Sequence, residues 1–170
     1  MNLDILKQPI TPQEIEWRVQ SQTKDGQKLM ILAYITSRCA MERLDAAFGV
    51  LGWKSEFKEV TDGFLCTLSV RNDNGEWICK TDGAQRTDVE GLKGGVSGSL
   101  KRTAVQLGLG RSLYDFPKVM IQTTDKFIPS WALPLLDKLV EKINGGGQVR
   151  DVIVLKEEHS RPASNATRTA

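Results

Sequence analysis

Apolar positions in the first part of the chain follow two spacings, and each spacing predicts a different element. Apolar residues three or four positions apart indicate a helix, whereas a short apolar run or strict alternation indicates a strand. Thr11 to Glu14 reads as a capping box with proline at the first helical position, which predicts a short helix through about Val19. The apolar run from Lys28 to Ile35 predicts a strand with both faces partly covered.

A second helix is predicted directly after this strand. Thr36 or Ser37 can cap its first amides, and Gly49 can end it with a positive φ. Its apolar stripe is predicted from five residues at helical spacing: Met41, Leu44, Ala47, Phe48 and Leu51.

Three strands in close succession are predicted next. Alternation runs from Trp53 to Val60 and from Phe64 to Arg71, and a third strand is expected from Glu76 to Thr81. The pairs Asp62-Gly63 and Asn74-Gly75 mark the turns between them. These strands form an antiparallel meander, which needs helices on one face to close its core.

The helix predicted after the meander carries adjacent cations. Ser97 or Ser99 can cap it, which places Lys101 and Arg102 near its N-terminus. Cations are unfavourable at the positive end of a helix dipole, so their presence there suggests a bound anion. Its apolar stripe consists of Leu100, Ala104 and Leu107.

Charge is distributed unevenly along the chain. Residues 91–118 carry five cations and one acid, a net charge of +4, whereas residues 1–90 carry a net charge of −3 and residues 119–170 of +1. A localised basic segment is typical of a surface that binds a polyanion. The alternative is a solvated helix face with no ligand.

The last third of the chain predicts one more helix and a tail. Ser130 begins the helix, and Gly145 to Gly147 end it. Residues 1–145 are therefore expected to form one domain and residues 146–170 a flexible tail, with one edge strand at 149–155 and disorder from about Lys156. The stripe of this helix is Leu133, Leu136, Val140 and Ile143.

Composition limits the classes of protein to consider. No apolar run approaches the ~20 residues of a membrane span, and the N-terminus has no secretory signal pattern. Cys39, Cys66 and Cys79 form no CxxC pair, and His159 is the one histidine. We therefore expect reduced thiols, a cytoplasmic location and no structural zinc.

The residues give little support for catalysis. Glycines near position 94 do not match a phosphate-binding loop, and no nucleophile lies in a pattern that pairs it with a base. Asp82, Asp88, Glu90 and Lys93 leave a metal-dependent nuclease open as an alternative. Asp82-Gly83 is more simply read as a turn. The chain favours a binding protein without a cofactor.

Several of these motifs together resemble those of Rad-fifty-two-type single-strand annealing proteins, in particular the compact versions of phages and some bacterial repair systems. The resemblance covers roughly residues 11–115. It rests on an Arg-containing helix that ends in Phe-Gly-x-x-Gly-Trp, the meander, and a Leu-Lys-Arg-x-Ala helix. In chain order these residues are Ile15-Glu16-Trp17-Arg18, Tyr34, Arg38, Arg43-Leu44, Ala47-Phe48-Gly49, Gly52-Trp53, Glu90-Gly91-Leu92-Lys93, Ser99-Leu100-Lys101-Arg102-Thr103-Ala104 and Leu107-Gly108.

The resemblance implies a fold and a function. The expected fold is α+β, a curved antiparallel meander packed against helices, with subunits side by side in a ring or helical filament. Single-stranded DNA would lie in a basic groove with its backbone held and its bases turned outward. Annealing would use no ATP, and a single-strand-binding protein or an exonuclease could be a partner.

The resemblance also implies DNA-binding residues. Lys101 and Arg102 correspond to the inner phosphate-contacting pair, and Arg38 to the arginine of the first long helix. Arg43 and Lys93 correspond less closely, and Lys80 and Arg86 are expected contacts by position. A monomeric nucleic-acid-binding module on a small α+β scaffold stays open as an alternative to the oligomer.

Overall fold

The computed structural model describes residues 2–87 and 90–157, which form two sheets packed with helices. The helices are α1 (Asp4–Lys7), α2 (Ser37–Phe48), α3 (Gly91–Val105) and α4 (Leu133–Asn144). The strands are β1 (Ile15–Gln22), β2 (Lys28–Ile35), β3 (Trp53–Val60), β4 (Gly63–Arg71), β5 (Trp77–Gln85), β6 (Lys118–Gln122) and β7 (Val152–Leu155). Short 3₁₀ turns lie at Pro12–Glu14, Arg111–Asp115 and Ser130–Ala132.

The predicted meander is confirmed as a three-stranded antiparallel sheet in the order β3-β4-β5. Its inner face presents Cys66, Leu68 and Val70, all buried. Leu44 from α2 and Leu100 from α3 join these residues in one core, so the two helices cover the sheet as expected. Burial of these side chains is the main stabilising term for this half of the molecule.

The second sheet has the order β1-β2-β6-β7. It is antiparallel except for β7, which pairs parallel to β6. Leu29 and Ile121 pair across it and are buried beneath Leu136 of α4. The expected edge strand at 149–155 is therefore present over Val152–Leu155. Residues 158–170, where disorder was predicted, lie outside the described residues.

The predicted helix through Val19 is wrong. Only Pro12–Glu14 form a single 3₁₀ turn, and Ile15–Gln22 are extended as strand β1. The capping interaction is nonetheless present, because the backbone N–H of Thr11 donates to the Glu14 carboxylate at 2.8 Å. Pairing with β2 overrides the local helix signal from Ile15 onward, since tertiary context outweighs intrinsic propensity.

Helix α3 begins at least seven residues earlier than expected. It starts at Gly91, so Ser99 is a buried mid-helix residue rather than a cap. Lys101 and Arg102 therefore lie in its last turns, and the argument for an anion at its N-terminus is wrong. At this end of a helix the dipole favours cations.

The segment Asp82-Gly83 is also not a turn. Gly83 pairs with Leu65 inside β5, which extends to Gln85. Leu51, expected on the stripe of α2, lies beyond that helix and is 89% exposed. Within residues 2–87 and 90–157, no helix combines the length and apolar character that a membrane span requires.

Candidate nucleic-acid interface

A groove of about 480 Å³ lies between the end of β2, helix α3 and the segment at residues 110–117. The two sheets meet at this place, because α3 packs on the meander while β2 belongs to the other sheet. Aromatic and cationic side chains line the groove together: Trp17, Tyr34, Tyr114, Phe116, Lys101 and Arg102. This mixture suits a ligand with flat apolar parts and negative charge.

The ring of Tyr34 lies close to two cations. The Arg18 guanidinium carbon and the Lys101 Nζ each lie 5.8 Å from the centroid of its ring. Arg18 is also paired with Glu16 at 2.9 Å, whereas Lys101 makes no salt bridge within the described residues. Burial, followed by the nearby charge of Arg18, lowers the pKa of Lys101 below its ordinary value of 10.5. A half-buried cation beside another cation is stabilised by an arriving anion.

Arg102 and Lys80 extend the basic surface onto the meander. The Arg102 Nε lies 3.4 Å from Asp82 Oδ1, and both side chains keep contact with water. Lys80 is exposed two positions before Asp82 in β5, so both project from the same face of the sheet. Asp82 partly compensates Arg102, which reduces the positive charge available to a ligand.

Arg38 lies near the groove but does not line it. It is exposed in the first turn of α2, directly after Ser37. The Ser37 hydroxyl lies 2.6 Å from that of Ser97, one turn before Lys101 in α3. This contact holds the start of α2 against the middle of α3, so Arg38 and Lys101 belong to neighbouring elements.

Arg86 and Lys93 lie away from the groove and are paired with acids. The Arg86 guanidinium contacts Glu59 and lies 4.8 Å from the centroid of the Phe64 ring. The Lys93 Nζ lies 2.9 Å from Glu90, one turn away at the start of α3. Neither residue is brought together with Lys101 and Arg102 by the fold.

The side chain of Arg43 is buried and is engaged in contacts within the fold. It is 8% exposed, and its salt bridge is with Glu14. Both of its terminal nitrogens and its Nε bond the Glu14 carboxylate or backbone carbonyls, so all five donors are used. The acceptors are Glu14 Oε1 and Oε2, both at 2.7 Å, and the carbonyls of Ile5, Gln8 and Pro9 at 3.1, 2.8 and 2.9 Å. No donor of Arg43 remains for a phosphate.

Sequence reasoning missed Arg18 and the groove aromatics. The capping box predicts a helix through Val19, whereas residues 15–22 form a strand, which places Trp17 and Arg18 on opposite faces. Tyr34 and Phe116 are not among the DNA-binding residues expected from the sequence, yet both line the groove. The period-two spacing of Ile15, Trp17 and Val19 is the signal that could have identified this strand.

The acids of the alternative nuclease reading are engaged in other contacts. Asp82 accepts the Gly83 backbone N–H at 2.7 Å and faces Arg102, and Glu90 pairs with Lys93. Asp88 lies outside the described residues. Among residues 2–87 and 90–157, no three side chains of the His, Cys, Asp or Glu type are grouped as metal ligands.

Comparison with known proteins identifies the class to which this fold and groove belong. The chain belongs to the Rad52/22 family of double-strand break repair proteins, whose family model matches residues 3–132.

Its relatives include two single-stranded DNA-binding proteins named DdrA. The chain is 34% identical to that of Deinococcus deserti over 145 residues, which span 76% of this chain and 68% of the relative. It is 29% identical to that of Deinococcus radiodurans over 145 residues, which span 76% of this chain and 66% of the relative. Membership of the Rad52-type family, expected from the sequence motifs, is therefore confirmed.

Proposed function

We propose that this protein binds single-stranded DNA and anneals complementary strands in recombination and repair, without a catalytic step of its own. The observation that carries the proposal is Lys101, a half-buried cation beside Arg18 at the wall of a groove, with no acid bound to it in the described chain. Family membership and the names of both DdrA relatives support the same ligand.

Annealing needs a grip on the strand that leaves the bases readable. Contacts from Lys101, Arg102 and Arg18 to phosphate oxygens provide such a grip, because phosphate contacts position a strand without reading its sequence. Arg38 and Lys80 are both exposed and add positive charge on the neighbouring elements α2 and β5. Affinity that rests on these contacts should fall steeply with salt, since each neutralised phosphate releases counterions.

The proposed working form is an oligomer, with subunits side by side in a ring or helical filament. A single groove offers few phosphate contacts, but a strand that runs through several identical grooves gains affinity from each additional one. Light scattering of the purified protein would separate this form from the alternative, a monomeric nucleic-acid-binding module. A monomer that still binds DNA tightly would favour the module.

The test of the DNA site is a double variant, Lys101→Ala with Arg102→Ala. We expect this variant to keep its fold and oligomeric state and to lose binding to a fluorescent single-stranded oligonucleotide at moderate salt. The matched control is Lys138→Ala with Lys142→Ala, which removes the same charge from the exposed face of α4. If both variants bind equally well, the proposed site is wrong.

A third arm of the experiment addresses catalysis. Labelled DNA incubated with the protein and magnesium or manganese should remain intact, because the proposed role is binding alone. Cleavage products that disappear in an Asp82→Asn variant would favour the metal-dependent nuclease instead.

A further inference from the structure

Strand β2 is paired along its whole length on one side and along half of it on the other. Strand β1 pairs with it from Ile35 to Leu29, whereas β6 pairs with it over Lys28–Ile31. The Thr123 backbone N–H donates to the Gln27 carbonyl at 3.0 Å, so Gln27 and Thr123 form a hydrogen-bonded pair of the antiparallel ladder between β2 and β6. Because such pairs alternate, the odd-numbered residues of β2 turn their backbone groups toward β6.

Ala33 is the next residue of β2 to face in that direction. Continuing the register that pairs Ile31 with Val119 would place Ala33 opposite Pro117. Proline has no backbone N–H, so this position cannot donate a ladder hydrogen bond, and β6 starts at Lys118 instead. The N–H and C=O of Ala33 therefore point into the groove without a strand partner in the described chain.

The surroundings of this open backbone edge match the parts of a nucleotide. Trp17, Tyr34 and Phe116 supply flat apolar surface, and Lys101 and Arg102 supply positive charge at one wall. A base has apolar faces and an edge that carries both donors and acceptors. One residue of an open strand offers a donor and an acceptor side by side, which complements such an edge.

We propose that the groove takes the base of one nucleotide of the bound single strand in each subunit, with its edge against the backbone of Ala33 and its phosphate on Lys101 and Arg102. This inference rests on the proposed function and changes one part of it, since one base in each repeat is turned inward while the others stay readable. An added peptide strand fits less well, because the open edge spans only residues 32–35, shorter than a typical strand of about five residues.

The test compares two oligonucleotides of equal length, one with natural bases and one with abasic sugar–phosphate units throughout. We expect the unaltered protein to bind the abasic strand about tenfold more weakly, as expected for the loss of base stacking. Val105→Trp fills the groove without removing a cation and should weaken binding of the natural strand to the abasic level. Leu92→Trp, an exposed position of α3 outside the groove, is the matched control.

Each outcome of this comparison has one meaning. Equal affinity of the unaltered protein for both strands overturns the base site while the proposed DNA binding stands. Failure to bind either strand overturns both proposals. If free deoxyadenosine monophosphate binds as tightly as the natural strand, or an acidic peptide displaces it from the groove, the groove serves another ligand and the inference is wrong.

Discussion

Arg43 and Glu14 form a two-point contact between helix α2 and the 3₁₀ turn before β1, with both nitrogen–oxygen distances at 2.7 Å. The hydrogen bond from Arg43 is the largest cause that lowers the pKa of Glu14 from its ordinary value of 4.5 to about 2. The remaining donors of Arg43 hold the carbonyls of the N-terminal segment. This contact fixes the chain ahead of β1, the strand that carries Arg18.

Glu14→Gln should destabilise the fold by about 2–4 kcal/mol, because it leaves a buried guanidinium without its counter-charge. The free energy of unfolding, measured by urea titration near neutral pH, checks this value. Glu16→Gln removes the acid of an exposed ion pair two positions away and should change stability by less than about 0.5 kcal/mol. Equal effects of the two substitutions would contradict the structural role given to Arg43.

The same contact predicts a dependence of stability on acid. Because the folded-state pKa of Glu14 lies below its ordinary value, its stabilisation is complete above pH 4.5 and is lost as the pH falls toward 2. The expected loss is about 3 kcal/mol over this interval. Unfolding midpoints measured between pH 4.5 and pH 2 should fall with pH in the parent protein because of this loss. The Glu14→Gln variant should not show this part of the decrease.

Asp82→Asn should strengthen DNA binding. The substitution removes the carboxylate that faces Arg102 at 3.4 Å while keeping an oxygen that accepts the Gly83 N–H. An exposed pair of this kind is worth up to about 1 kcal/mol, so we expect up to a fivefold gain in affinity and a steeper dependence on salt. Asp137→Asn, on the exposed face of α4, makes the same change in net charge and should have little effect. Fluorescence anisotropy at several salt concentrations distinguishes the two.

Lys101→Arg should change the response of DNA binding to alkaline pH. Because the pKa of Lys101 is lowered, mainly by burial, its charge in the free protein is lost at a lower alkaline pH than that of an ordinary lysine. Affinity for a single strand should therefore decline in that range, and an arginine, which stays charged, should hold it constant. Dissociation constants measured between neutral pH and pH 10 provide the check. Parallel profiles for the two proteins would place the titrating group elsewhere.

Gly95→Ala should destabilise the protein although alanine favours helices. A Cβ at this position would lie 2.6 Å from Cδ2 of Phe64, so the close approach of α3 to β4 depends on the glycine. Overpacking of this kind costs about 1–3 kcal/mol. At Gly91 the nearest atom to an added Cβ is 3.6 Å away, so Gly91→Ala should be neutral or stabilising by up to about 1 kcal/mol. Thermal unfolding of both variants tests this contrast.

The meander could be predicted because its information is local. Alternation and turn residues specify strands β3 to β5 with neighbours close in sequence, and the structure confirms them. The start of α3 could not be predicted in this way. Four glycines in its first eight residues are poor helix formers, and two of them, Gly95 and Gly98, lie where the helix packs tightly on strands β4 and β5.

The candidate site could be predicted from the sequence only in part. Lys101 and Arg102 are adjacent in the sequence, so their shared location followed from a motif. Arg18 joins them through Tyr34, a contact between α3 and the other sheet that no local pattern contains. The contacts of Arg43 could not be predicted either, since its partner Glu14 lies 29 positions away in the sequence.

Pro117 lies where strand β6 stops pairing with strand β2, next to the groove. Its ring nitrogen carries no hydrogen, whereas any other residue at this position would offer a backbone N–H. The pairing of the two strands stops at this point. The groove beside β2 therefore begins where this donor is missing. Pro117→Ala would restore the N–H at this position and allow the pairing of β6 with β2 to extend by one residue toward the groove.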